Sequence, residues 1–113
     1  MIIEDKFPSG KERAHMNNNL NNEHMDELYT AILSLETKEE CAAFFEDLCT
    51  VLELQSMSQR MQVAKMLTSK KVYKDIVAET GASTATISRV NRTLNYQGSG
   101  GYAMVFERMK GKK

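Results

Sequence analysis

Residues 73–94 read YKDIVAETGASTATISRVNRTL, two short helical patterns on either side of a glycine. That is the layout of a helix-turn-helix. A support helix and a recognition helix cross steeply in such a unit, so the turn needs a residue that tolerates positive φ and both helices need fixed apolar contacts. Gly81 meets the first need. Ile76 and Val77 before the turn, with Ile87, Val90 and Leu94 after it, are expected to meet the second. The spacing predicts one helix over 73–80, a sharp turn at Gly81 and another helix over 84–94.

At about 100° per residue, Ile87, Val90 and Leu94 share one face of the second helix, while Ala85, Ser88, Arg89 and Arg92 fall on the opposite one. The chemistry of that opposite face suits a DNA major groove. Ser83, Thr84, Thr86 and Ser88 offer short donors and acceptors, Ala85 permits close approach and can touch a thymine methyl, and Arg89 can reach guanine or phosphate. Lys70, Lys71 and Lys74 stand where a support helix crosses the backbone, which makes them candidates for phosphate contacts. From Arg60 to Arg92 there are seven bases (Arg60, Lys65, Lys70, Lys71, Lys74, Arg89 and Arg92) against two acids, Asp75 and Glu79. The competing reading is an ordinary helix start beside a solvated lysine face, and helix-turn-helix geometry also occurs in protein–protein modules.

Outward from this unit the chain reads as helix throughout. Met25, Leu28, Ile32 and Leu35 recur at three- and four-residue steps, which predicts a first helix ending near Leu35. Thr37 and Glu40 have capping-box spacing, so a second helix starts there and is expected to reach about Leu52. Its apolar residues Cys41, Ala42, Phe44, Phe45, Leu48, Cys49 and Leu52 are too widely spread for one stripe and point to packing on more than one side. Ser56 and Gln59 repeat the capping spacing, and Met57, Met61, Ala64 and Leu67 carry a third helix to about Ser69. After the unit at 73–94, the glycines of 98–101 read as a flexible joint, and Tyr102, Val105, Phe106 and Met109 form a last stripe. The sum is an all-α fold of about six helices. Residues 1–22, with the run Asn17-Asn18-Asn19-Leu20-Asn21-Asn22, lack hydrophobic periodicity and are expected to be a disordered leader, leaving 23–113 as one helical domain.

A chain of 113 residues supports at most one thin core, so association with a second copy would help to stabilise it. The formal net charge of zero hides a polarity. Residues 23–53 hold nine acids (Glu23, Asp26, Glu27, Glu36, Glu39, Glu40, Glu46, Asp47 and Glu53) and Lys38 as their only base. Residues 54–113 hold eleven bases and three acids, the acids being Asp75, Glu79 and Glu107. Because salt screens exposed charges beyond roughly 8 Å, a basic half can attract a polyanion although the whole is neutral. No run approaches the roughly 18 apolar residues of a membrane span, and no signal-peptide pattern opens the chain, so a cytoplasmic location without membrane contact is expected. Cys41 and Cys49 read as reduced, small core residues, and His15 and His24 have no ligand partner at metal-site spacing, so no metal is expected. Paired carboxylates, a nucleophile beside a histidine and a phosphate-binding glycine loop are all missing from the sequence, which argues against an enzyme.

The stretch GASTATISR (81–89), preceded by Arg60, Leu67 and Ile76, resembles the Trp repressor superfamily and within it the YerC/YecD-type branch of Gram-positive bacteria. ECAAFFEDLC (40–49), LQSMSQRMQVAKML (54–67) and GASTATISRVNRTLNY (81–96) carry the likeness, which spans about 25–109. The resemblance implies an intertwined homodimer of six-helix subunits, with two helix-turn-helix heads reading a palindromic operator in double-stranded DNA. In tryptophan-binding members two arginines sandwich the indole, and the matching positions are Arg60 and Arg89. A glycine follows the second arginine in those members, and Val90 stands there instead. A β-branched side chain should overfill part of that pocket, which argues against tryptophan while leaving room for another small-molecule corepressor. The resemblance therefore implies a transcription regulator of the repressor type. The alternative is a helical interaction module, docking through its acidic helices, with weak DNA binding or none.

Overall fold

The computed structural model describes residues 22–111, and the leader expected at 1–22 lies outside the described residues but for Asn22. Among the described residues there are six α-helices and no strand. They are α1 (Glu23–Leu33), α2 (Lys38–Leu48), α3 (Val51–Thr68), α4 (Tyr73–Thr80), α5 (Thr84–Arg92) and α6 (Gly101–Lys110), with a π-helical turn over Thr93–Gln97. The chain falls into two compact units, one running to Leu48 and the other starting at Cys49.

In the first unit, α1 starts where the Asn22 side chain accepts from the Met25 amide at 2.8 Å, satisfying one of the orphan donors of a helix start. It stops at Ser34, whose hydroxyl donates to the Ala31 carbonyl at 2.7 Å and competes with helical continuation. The expected cap of α2 forms: the Thr37 hydroxyl accepts from the Glu40 amide at 3.0 Å. The Glu40 carboxylate accepts from the Glu36 amide at 2.8 Å, one residue earlier than in the usual box. Neither α1 nor α2 contains a buried residue, and of the two cysteines expected in a core Cys41 is exposed and Cys49 half-buried, because no element of the core packs over them. Phe44 and Phe45 meet edge to face, 5.6 Å apart.

The boundary between α2 and α3 corrects the sequence reading. Helix α2 ends at Leu48, and α3 begins at Val51 rather than at Ser56. Thr50 is the N-cap, accepting from the Glu53 amide at 3.1 Å while the Glu53 carboxylate accepts from the Thr50 amide at 2.8 Å. This complete capping box outcompetes the apolar continuity from Cys41 to Leu52, because it pairs two amides that a continuous helix would otherwise bond along its axis.

The second unit holds the core. Val63 and Ala64 of α3, Ile76 of α4, Ala82 of the turn, and Ile87 and Val90 of α5 are all at most 2 % exposed. Met66, Leu67, Leu94, Tyr102 and Phe106 pack around them. Val77, expected in this core, is instead 37 % exposed, since Ile76 alone of the pair points at α3 and α5. Along α6, Tyr102 and Phe106 stack at 6.0 Å against the core, whereas Val105 and Met109 of the expected stripe are exposed. Helix α5 ends at Arg92, short of Leu94, and widens into the π turn, where the Asn95 amide donates to the Asn91 side-chain oxygen at 2.7 Å and to its carbonyl at 3.2 Å. Gly98 closes that turn, and a Cβ there would overlap the Thr93 carbonyl.

Gly81 has φ 74°, and its amide donates to the Val77 carbonyl at 2.9 Å, which ends α4 in a left-handed cap. No atom lies within 4 Å of a Cβ built on it, so a substitution meets backbone strain and no clash. Gly81→Ala should therefore lower stability by about 1 kcal/mol, a drop of roughly 4–8 °C in Tm, measurable by thermal unfolding.

Candidate nucleic-acid interface

Three sets of hydrogen bonds set the two helices of the 73–94 unit against each other. The Thr80 hydroxyl donates to the Ile76 carbonyl at 2.7 Å and accepts from the Ala82 amide at 3.1 Å, so one side chain closes α4 and shapes the turn. Gln59 of α3 donates from Nε2 to the Thr80 carbonyl at 3.1 Å, tying the turn to the long helix behind it. Ser83 caps α5 by accepting from the Thr86 amide at 3.1 Å, and the two hydroxyls also bond each other at 3.1 Å. Gln59 was read in the sequence as a capping partner of Ser56. Its actual role spans 21 residues and has no signature in local spacing.

With α5 so fixed, Ile87 and Val90 are buried and the other face is open. Thr84, Ala85, Ser88, Arg89 and Arg92 are exposed, while Thr86 is half-buried. Arg89 and Arg92 form no ion pair or side-chain hydrogen bond with any described residue; the one ion pair among those residues joins Lys110 to Glu107 at 3.7 Å. Their donors are thus unspent. Ser83 and Thr86 differ from the rest of the expected set, because the cap already engages both hydroxyls.

Lys70 and Lys71 lie in the loop between α3 and α4, and Lys74 in the first turn of α4; all three are exposed and free of ion pairs. Lys71 also lines a polar groove between α3 and α4, together with Gln55, Gln59, Lys65 and Glu79. Arg60, on α3, is exposed and makes no ion pair or side-chain hydrogen bond with any described residue. Val90, which the family resemblance sets beside a ligand pocket, is 2 % exposed within the core. Among the described residues no group of three or more His, Cys, Asp or Glu side chains could hold a metal, and no helix is long and apolar enough to cross a membrane.

The family model for the Trp repressor protein matches residues 23–110. The chain belongs to the Trp repressor family. The YerC protein of Bacillus subtilis is 53 % identical over 91 residues, 80 % of this chain and 86 % of that one. A TrpR-like protein from Eubacterium eligens superposes with a TM-score of 0.80 at 54 % identity, covering 86 % of this chain and 99 % of its own. A candidate Trp repressor from Staphylococcus aureus gives 0.79 at 52 % identity, over 85 % of this chain and 95 % of its own. The six-helix Trp-repressor fold and the family resemblance expected from GASTATISR are thereby both established. Within this Trp-repressor fold, the exposed face of α5 carries Arg89 and Arg92 and no acid, and Lys70, Lys71 and Lys74 are exposed before and at the start of α4.

Proposed function

We propose that this Trp-repressor family member is a sequence-specific DNA-binding transcription regulator, acting as a homodimeric repressor. The observation that carries this reading is the acid-free outer face of α5, with Thr84, Ala85, Ser88, Arg89 and Arg92 exposed over a fully buried inner face. In a helix-turn-helix dimer the two recognition helices enter successive major grooves about 34 Å apart. Exposed apolar side chains favour the dimer: Leu33 is 75 % exposed, Val51 68 % and Leu52 74 %. Such a regulator works in the cytoplasm.

A small-molecule corepressor at Arg60 and Arg89 stays within this proposal, both guanidiniums being exposed and unpaired. The burial of Val90 favours a ligand other than tryptophan, or control without a ligand. A protein partner on the acidic helices is the second reading, and the nine acids of 23–53 against Lys38 favour it.

The two readings separate in a salt titration of DNA affinity, because phosphate neutralisation releases counterions and makes binding steeply salt-dependent. Regulator binding should fall steadily on a double-logarithmic plot. Lys74→Ala should weaken binding to all sequences alike and reduce the slope by about one unit. Salt-insensitive binding, micromolar or weaker on every DNA tried, would instead support the interaction module.

A further inference from the structure

Helix α3 ends in a paired backbone motif. The Lys71 amide donates to the Met66 carbonyl at 3.0 Å and the Lys70 amide to the Leu67 carbonyl, also at 3.0 Å. These are the two bonds of a Schellman cap, which needs a left-handed residue just past the helix. That residue is Lys70, at φ 65°. Glycine is the ordinary occupant, since a Cβ in this region crowds the backbone.

Elsewhere this chain follows the rule. Among the described residues the other positive-φ positions are Gly81 and Gly100, and Lys70 is the one exception. Among the described residues nothing offsets the strain. The Lys70 side chain is exposed, is not part of the core, and forms no ion pair or side-chain hydrogen bond with any described residue. Asparagine, the non-glycine residue best suited to this conformation, is also not used. Strained residues that persist without internal compensation gather at functional sites.

The ammonium group is what lysine has and glycine lacks. From Lys65 to Lys74 the chain carries Lys65, Lys70, Lys71 and Lys74 and no acid, so the compensating partner is an anion. Lys71 shares its groove with Glu79, whereas Lys70 is outside that groove.

We infer that Lys70 is a dedicated phosphodiester contact, kept in a left-handed cap at the expense of stability. The inference rests on the DNA-binding reading above and adds to it a particular residue and a trade-off. The same substitution should move stability and affinity in opposite directions, which neither a solvated lysine nor a structural one would do.

The test uses the full-length protein, DNA fragments it selects from a genomic library, and the variants Lys70→Gly and Lys70→Arg. Lys70→Gly should raise Tm by several degrees, weaken DNA binding several-fold and lower the salt slope by about one unit. Lys70→Arg should keep parental affinity and slope without the gain in Tm. Lys70→Gly with unchanged affinity and slope, in a parent that binds DNA, would overturn the assignment of Lys70 and leave the DNA-binding reading standing. A parent that selects no DNA would overturn that reading and the assignment with it.

Discussion

Replacing Arg89 by alanine should reduce affinity for the selected operator by about 5- to 150-fold, while Tm changes little. The size follows from the contact: a well-placed arginine on a guanine edge is worth about 1–3 kcal/mol of discrimination. The small effect on Tm follows from the fold, because Arg89 is exposed, makes no ion pair with any described residue, and lies opposite Ile87 and Val90 on α5. Loss of affinity should be concentrated on the best sites, so the variant's preference over random DNA flattens. Lys74→Ala differs by weakening every sequence equally. Competition binding with a selected fragment and a scrambled one distinguishes the two, and equal behaviour of both variants would place the base-reading surface elsewhere.

Ile76→Ala should be the most damaging change to stability, at about 2–5 kcal/mol. Ile76 is fully buried, and its carbonyl also receives the Thr80 hydroxyl that shapes the turn. Truncation leaves a cavity between α3, α4 and α5 that the small neighbours Ala64 and Ala82 cannot fill. With the whole domain stabilised by some 5–15 kcal/mol, a loss of this size should shift the midpoint of chemical unfolding strongly and weaken DNA binding through misplacement of α5. Val77→Ala is the internal control. Its side chain is 37 % exposed, so it should lose well under half as much.

These contrasts also show which features were legible in the amino-acid sequence. The helix-turn-helix was, because its signals are local: Gly81 supplies the left-handed turn, and Ile76, Ile87 and Val90 keep helical spacing on either side. Helix α4 matches the expected bounds in full, and α5 starts where expected, after the Ser83 cap. The start of α3 is hidden in the sequence because Thr50 and Glu53 sit inside an apolar run, whose periodicity conceals a complete capping box behind the weaker spacing of Ser56 and Gln59. Val77 and Ile76 are adjacent β-branched residues, and only the packing of α3 against α4 decides which of them is buried.

The site was legible in part for the same reason. Exposure of Ala85, Ser88, Arg89 and Arg92 follows directly from a 3.6-residue period, which sequence carries. Engagement of Ser83 and Thr86 in the cap, and the reach of Gln59 to the Thr80 carbonyl, depend on three-dimensional placement. The left-handed backbone of Lys70 is the extreme case, since lysine is a poor marker of positive φ and only the paired bonds to Met66 and Leu67 reveal it.

Selection of fragmented genomic DNA by the full-length protein, followed by sequencing after a moderate-salt wash, tests the central claim most directly, run with and without L-tryptophan and in parallel with Arg89→Ala. The account predicts a discrete, two-fold symmetric motif whose half-sites lie about one helical turn apart, recovered equally in both tryptophan arms and lost with Arg89→Ala. Recovery of the motif with tryptophan alone would contradict the part of the account that rests on Val90. The absence of any enriched motif in either arm would contradict sequence-specific DNA binding itself.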